Sequence, residues 1–332
     1  VIDGLCIAFG ANDKEIPADK LAMIRQSGVS AINATIPYPG FDFERTNKAI
    51  ENTKFITNKY TDNFRIVNSA NDILLAKKYR QLGIILGFQS TEMFGNDLTR
   101  IKHFSDAGVR YMQLTYNNQS QFGGGGLTDS NNGVTPLGFE AIEEIQANNV
   151  LLDLSHSNKK TVKKAIEHAK KPLTISHTGC NSLYQHPRNN NDSELRAVAN
   201  KGGVVGIYLM PFLEGGTHEI TAEAVMKHID HAINICGEDH VSIGSDQGIT
   251  PVNDGPEYRE MIRKDVERRI KAGISAPGET PDRPPFVPEL NSIRRMELIA
   301  WYMSKRGYTD TSIEKVLGKN LLNLYTEIWT ST

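Results

Sequence analysis

Leu151-Leu152-Asp153-Leu154-Ser155-His156 and Leu173-Thr174-Ile175-Ser176-His177 are the two stretches whose reading decides the fold. Each reads as a buried strand that stops at Ser-His, and residues 158–171 between them read as a helix. The unit is strand–helix–strand, so the two strands run parallel and both histidines arrive at the same carboxyl-terminal rim. Ligands and chemistry collect at that rim in α/β folds. Two imidazoles delivered to one place are the start of a metal site.

The alternation continues on both sides of this unit. Strand-like apolar runs fall at 1–8, 31–36, 64–68, 83–88, 111–115, 150–154, 173–176, 204–209 and 240–244. Amphipathic helical stretches fall at 18–28, 43–59, 70–82, 98–108, 136–149, 159–171, 193–202 and 222–237, several of them ending at a glycine. Continuous apolar strands alternating with helices imply a parallel sheet covered on its faces. The expected fold is an α/β, (β/α)8 TIM barrel with extra C-terminal helices, formed as one domain over 1–332. Nine strands are one too many for eight staves, so 64–68 is expected outside the ring. After residue 246 the pattern gives way to a loop at 248–256, a helix at 257–273, a Pro-rich crossing at 276–288, and helices near 292–306 and 311–329. The polar loop 117–136, with Gly123 to Gly126 at its centre, reads as a hinge or lid. No Gly-Lys-Ser/Thr follows the glycines, so it is not a phosphate loop.

Composition narrows the function. The 332 residues are 39% hydrophobic and 23% charged, with a formal net charge of −2 and no Lys/Arg run. This speaks against a nucleic-acid partner and leaves a small-molecule substrate. The charged stretch 259–271 alternates signs at helical spacing and reads as a solvated helix face. Cys6, Cys180 and Cys236 are odd in number and widely spaced, which fits a reducing, cytoplasmic setting rather than a disulfide framework. No apolar run approaches the ~18 residues of a membrane span. No signal peptide is visible, and because the chain begins at Val1 a removed leader stays open.

Other strands also end in polar groups: Gln89 after Leu86-Gly87-Phe88, Tyr116-Asn117 after Leu114-Thr115, and Asp246 after Ile243-Gly244-Ser245. Barrel enzymes gather catalytic groups this way, from the ends of several strands.

On these residues the chain resembles the renal (membrane) dipeptidase family of metallopeptidases, in the amidohydrolase-like superfamily of metal-dependent barrels. The family pattern has Asp-Leu-Ser/Ala-His and then Ser-His twenty-one residues later, the separation of His156 and His177 here. It continues with an Arg-Asn pair (Arg188-Asn189), a Gly-x-Asp strand end (Gly244-Ser245-Asp246) and a C-terminal Gly-x-Asn-x-Leu (Gly318 to Leu322). The resemblance implies a dizinc hydrolase. One metal would be held by a first-strand Asp-Gly-His-Asn-Asp and a bridging Glu, the other by the two later histidines. The strand-eight Asp would move a proton, and the Arg would pair with the substrate carboxylate. Dimerisation is also implied.

The chain departs from that pattern where most charge is needed. The first strand reads Asp3-Gly4-Leu5-Cys6-Ile7, which puts Leu5 and Ile7 at the His and Asp positions, and Gln89 stands at the bridging Glu. A dizinc centre brings about four positive charges together, and buried charge must be paired. Leu5 and Ile7 supply nothing, Gln89 is neutral, and only Asp246 is anionic, so two metals are not expected. One zinc on His156, His177 and either Gln89 or Asp246 would meet the three-ligand rule for a catalytic site; no metal at all is the alternative. Cys6 points away from positions 5 and 7 along the strand and is expected in the helix layer. His103, His168, His218, His231 and His240 read as surface or cap residues.

The expected function is hydrolysis of a small C–N bond in a dipeptide, amino-acid amide or N-acyl amino acid. Asp246 would be general base, Arg188 would hold a carboxylate, and Tyr116 would orient the scissile group. The alternative is an altered or inactive dipeptidase-like protein that binds a small carboxylate-containing molecule without a dinuclear centre.

Overall fold

A computed structural model describes residues 1–9, 13–37, 39–129, 131–216 and 218–329. Runs of Ile, Val, Leu and Ala form β1 (Ile2–Ile7), β2 (Ala31–Thr35), β3 (Phe64–Ile66), β4 (Leu82–Phe88), β5 (Val109–Gln113), β6 (Leu151–Asp153), β7 (Thr174–Thr178), β8 (Val204–Ile207), β9 (Val241–Ile243) and β10 (Gln247–Gly248). Every strand pairing is parallel. All seven residues of β4 are buried, as a strand covered on both faces requires. The sheet order is β10-β1-β2-β4-β5-β6-β7-β8-β9. β9 runs straight on through Gly244-Ser245-Asp246 into β10, which pairs with β1, so the sheet curls back on itself as a (β/α)8 barrel.

β3 lies outside this ring, as the strand count predicted. It pairs with Leu82, Gly83 and Ile84, while β5 takes Leu86 to Phe88 on the same edge of β4. The turns from each helix to the next strand are short, whereas most loops from strand to helix, at the opposite end of the ring, are longer. The helices that cover the outer face are α1 (Ala18–Gln26), α2 (Phe43–Lys59), α3 (Ala70–Tyr79), α4 (Thr99–Asp106), α5 (Pro136–Ala147), α6 (Lys159–His168), α7 (Asp192–Asn200) and α8 (Ala222–Cys236). Cys6 is fully buried in the main apolar cluster of this layer, on the face opposite Leu5 and Ile7.

Beyond the ring come α9 (Pro256–Lys271), α10 (Arg295–Lys305), α11 (Asp310–Glu314) and α12 (Asn320–Ile328). The predicted single helix at 311–329 is broken at Lys315–Lys319. The break lets Asn320 donate to the carbonyls of Glu238 and Val241 at 2.7 and 2.8 Å, which ties α12 to the start of β9. From there Leu321, Leu324, Tyr325 and Trp329 pack on Ile2, Ala31, Tyr111 and Leu151 and plug the amino-terminal end of the barrel. Burying each such side chain contributes about 1.5–3 kcal/mol. The open end is therefore the carboxyl-terminal one.

Candidate active site

Asp153, the last residue of β6, organises the histidines. Its Oδ1 accepts from the Ser155 N–H, the Ser155 hydroxyl and the Ser176 N–H, each at 2.9 Å, and its Oδ2 accepts from the Ser176 hydroxyl at 2.5 Å. With its proton committed to Asp153, the Ser176 oxygen accepts from His177 Nδ1 at 2.7 Å. His177 Nε2 is then left as a bare acceptor; it is buried and has no partner. His156 is fixed in the same sense. Asn117 donates its Nδ2 to the Ile274 carbonyl at 2.9 Å, so its Oδ1 is what faces His156 Nδ1 at 2.6 Å. His156 thus carries its proton on Nδ1 and also offers Nε2. The two rings stand 4.9 Å apart, edge to face. Burial, and then the Arg188 charge, push both imidazoles well below the usual histidine range, so both stay neutral near pH 7.

His156 and Asp246, just beyond the ends of β6 and β9, both sit at positive φ, 64° and 56°. Non-glycine residues rarely hold this conformation, and where they do it is commonly at a functional site. The Asp246 N–H donates to the Leu5 carbonyl at 3.0 Å, and Asp3 holds the preceding Ser245 through its N–H at 2.8 Å and its hydroxyl at 2.5 Å. Burial pushes the Asp246 carboxyl up to about 6, against the pulls of Arg188, Arg269 and a hydrogen bond from Gln89.

Arg188 is held from behind. Its carbonyl accepts from Thr178 at 3.0 Å, and its N–H donates to His186 Nδ1 at 3.1 Å. Only 4% of it is exposed, yet Nε and Nη2 have no partner. The guanidinium lies beside Tyr208 and Phe212, 5.9 and 5.8 Å from the ring centres. Tyr116 stacks on His156 with ring centres 4.2 Å apart, and Arg269 donates to its hydroxyl at 3.4 Å. Gln89, Tyr116, Arg188 and Asp246 line one cavity of about 950 Å³, as does Ile7.

The structure thus brings Gln89, Tyr116, Arg188 and Asp246 to one cavity, with His156 stacked against Tyr116 and His177 beside His156. It does not assemble a complete metal cage. Among the described residues no three His, Cys, Asp or Glu side chains stand together as ligands, so Asp246 does not join the two histidines in the expected cluster. The orphaned Nε2 of His177, with the Nε2 that His156 offers, suits a single cation, because metal-bound histidines characteristically give their other ring nitrogen to an oxygen acceptor. The donor set does not suit two. Leu5 is buried and Ile7 faces the cavity as hydrocarbon, where a second ion would need charged ligands.

Several residues that build the site carried little sequence signal. Asn117 adjoins Tyr116 at a strand end and could have been found by its place. Asp153, Ser155 and Ser176 look like ordinary strand residues until their hydrogen bonds are known. Arg269 sits in the charged stretch read as solvated, yet its side chain is only 16% exposed and pairs with Glu279 at 2.8 Å. The four-glycine segment is not a lid. Gly126 N–H donates to the His156 carbonyl and Gly124 accepts from the Asn158 N–H, so the segment packs under the His156 turn. At Gly125 a Cβ would overlap the Tyr116 and Asn117 backbone. Close approach is the reason for glycine there; Ser130 of the same loop lies outside the described residues.

Residues 20–275 match the membrane dipeptidase family, peptidase family M19, and the chain belongs to that family. Its members are metal-dependent peptidases, generally with zinc. The chain is 29% identical over 278 residues to an uncharacterized dipeptidase of Schizosaccharomyces pombe, covering 79% of this chain and 64% of that protein, so it spans less than two thirds of that relative. It is 28% identical over 275 residues to an uncharacterized Klebsiella pneumoniae protein from the pqqA 5′ region, covering 80% of this chain and 89% of the other. The crystal structure of an amidohydrolase from Pseudomonas aeruginosa superposes with a TM-score of 0.85 at 28% identity, over 99% of this chain and 96% of that one. Among the described residues no helix is long and apolar enough to cross a membrane.

Proposed function

We propose that this member of the family hydrolyses the C–N bond of a small amide whose released amine is an amino acid, with one divalent ion rather than two. The observation that carries the reading is the Arg188 guanidinium, buried with Nε and Nη2 unpartnered in a cavity that also holds Asp246. A planar fork of this kind fits a carboxylate in bidentate fashion. Arg188 therefore anchors the substrate carboxylate. Asp246, anionic above about pH 6, takes a proton from water and returns it to the departing nitrogen. Tyr116, stacked on His156, is the wall against which the scissile group rests. His156 and His177 are the residues that would hold the ion, with Gln89 as third donor. The ion supplies Lewis acidity at the carbonyl when bound.

Metal content of the purified protein tests this directly. One equivalent in the wild type, lost in His156→Ala and His177→Ala, is expected; two equivalents, or none, would refute the one-ion site. Asp246→Asn should reduce turnover by at least a hundredfold with little loss of substrate affinity. The Leu5, Ile7 and Gln89 replacements favour a second reading, a carboxylate-binding protein without hydrolysis. A metal-free protein that still binds N-acyl amino acids through Arg188 would establish it.

A further inference from the structure

Charge in the cavity is lopsided. Six cationic side chains line it, Lys20, Arg45, Arg188, Arg268, Arg269 and Arg283, against three carboxylates, Asp246, Asp265 and Glu279. Two of the three carboxylates are already taken. Glu279 receives both Arg269 nitrogens at 2.8 Å, and Asp265 receives Arg268 at 2.7 Å. The third, Asp246, faces Arg188 and Arg269 and accepts from Gln89. Arg283 donates to the carbonyls of Glu214 and His218 and feels the Glu214 charge, the one acid that acts on it from beyond the cavity lining. None of the residues outside the described set is Asp or Glu, so no hidden acid alters the count.

Between these charges the wall is hydrocarbon. Ile7 is 41% exposed and Met261 55%, both lining the cavity together with Met210, Tyr258 and Ile262. Ile7 shares the cavity with Gln89, Asp246 and Arg188. An exposed isoleucine inside a cavity is surface that a ligand covers, since leaving it wet forgoes about 25 cal/mol per Å².

From this we infer that the substrate is an N-acyl amino acid with an apolar acyl group, not a dipeptide with a free α-ammonium. The inference rests on the carboxylate-anchoring reading of Arg188. A zwitterionic dipeptide would carry its ammonium into a cavity whose surplus charge is positive and whose acids are engaged. That ammonium would lose its water and meet only Asp246, which already faces Arg188 and Arg269. An acyl chain without the ammonium meets Ile7 and its neighbours instead. Hydrolysis balances simply: water adds its oxygen to the acyl carbon, the C–N bond breaks, the nitrogen takes a proton, and a fatty carboxylate and a free amino acid leave.

A matched pair isolates the ammonium. L-Leucyl-alanine and 4-methylpentanoyl-alanine have the same shape and differ only in that group. Calorimetric titration of each at pH 6.5, where the dipeptide amine is almost wholly protonated, with both enantiomers of the alanine, should show the acyl compound binding at least tenfold tighter. The gap should narrow at pH 9.5, where most of the dipeptide amine is neutral. Ile7→Asp, at a position open enough to accept it, should shift preference toward the dipeptide by at least tenfold, with circular dichroism confirming the fold. Equal or tighter binding of the dipeptide to the wild type would overturn the inference. If Arg188→Met leaves both ligands unaffected, or if neither binds the wild type, the carboxylate-anchoring reading falls and takes the inference with it. If Arg188→Met weakens both but the dipeptide binds more tightly, only the inference fails.

Discussion

Ser176→Ala removes one oxygen that does two jobs. Its hydroxyl donates to Asp153 Oδ2 at 2.5 Å and accepts from His177 Nδ1 at 2.7 Å. Both bonds are fully buried, since Asp153 is 2% exposed, Ser176 1% and His177 0%. The bond to the carboxylate is worth about 1.5–3 kcal/mol and the imidazole bond about 1 kcal/mol. Asp153 keeps three donors, from Ser155 and the Ser176 backbone, so its own desolvation is largely met. The expected loss is about 2–4 kcal/mol, read as a shift of the urea midpoint at constant slope. The more specific consequence is at His177. With no acceptor for Nδ1–H, nothing specifies the tautomer, and the fraction with a bare Nε2 falls. Nitrogen-15 NMR of histidine-labelled protein reports this directly. The wild type should show a neutral imidazole protonated at Nδ1, and the variant a mixture or the Nε2–H form. An unchanged His177 tautomer together with a stability change under about 0.5 kcal/mol would refute the relay.

Asp3 lies in the barrel interior, where burial pushes its carboxyl up from the ordinary carboxylate range to about 6, against hydrogen bonds from Ser245 and Leu5 and the Arg295 charge. Its folded value is raised, so its contribution is fully present below about pH 4 and is lost as pH rises through about 6. The loss is about 3 kcal/mol at most. Urea melts of wild type and Asp3→Asn should converge in relative stability toward the variant between pH 4 and pH 7; a difference independent of pH would exclude Asp3 as the titrating group. Zinc and an anionic ligand should bind cooperatively, because a carboxylate on Arg188 neutralises a cation that faces both histidines. Zinc titrations with and without 4-methylpentanoyl-alanine should show at least a fivefold gain in affinity; independence would separate the two sites.

The ring was legible because each stave announced itself. A stretch such as Leu82–Phe88 has no polar residue to suggest another use, and several of the helices between staves end at glycines, among them Gly28, Gly108, Gly202 and Gly237. The surplus strand could be set aside by counting. The break at Lys315–Lys319 was not legible, because its cause is a tertiary one: Asn320 reaches two carbonyls at the start of β9, some eighty residues back in sequence. The strand-end histidines and Asp246 could be placed from the (β/α)8 pattern, since strand ends share a rim, and Arg188 from the resemblance to the dipeptidase family. Their partners could not. Asp153 and Ser176 stand at positions where a strand tolerates many residues, and only the approach of β6 to β7 turns them into a relay. The glycine loop misled for a related reason. Glycine permits motion and close approach alike, and the sequence carries no mark of which is used.

A buried arginine with free donors is costly, and so is a buried imidazole pair beside it. Neither cost is offset within the chain. Ser176, held by Asp153, and Asn117 satisfy one nitrogen of each ring and leave the other open, while Thr178 and His186 hold the backbone of Arg188 and leave Nε and Nη2 of its fork unpaired. The supporting groups orient donors and acceptors without completing them. The two sets face opposite chemistry, Arg188 presenting donors to an anion and the imidazoles presenting acceptors to an electrophile. A hydrolase for an amide with a terminal carboxylate brings both together in one ligand, the carboxylate at one end and the electron-poor carbonyl at the other. The loss of charged ligands at positions 5, 7 and 89 then reads as a change in what the far end of the cavity receives, hydrocarbon in place of a second ion.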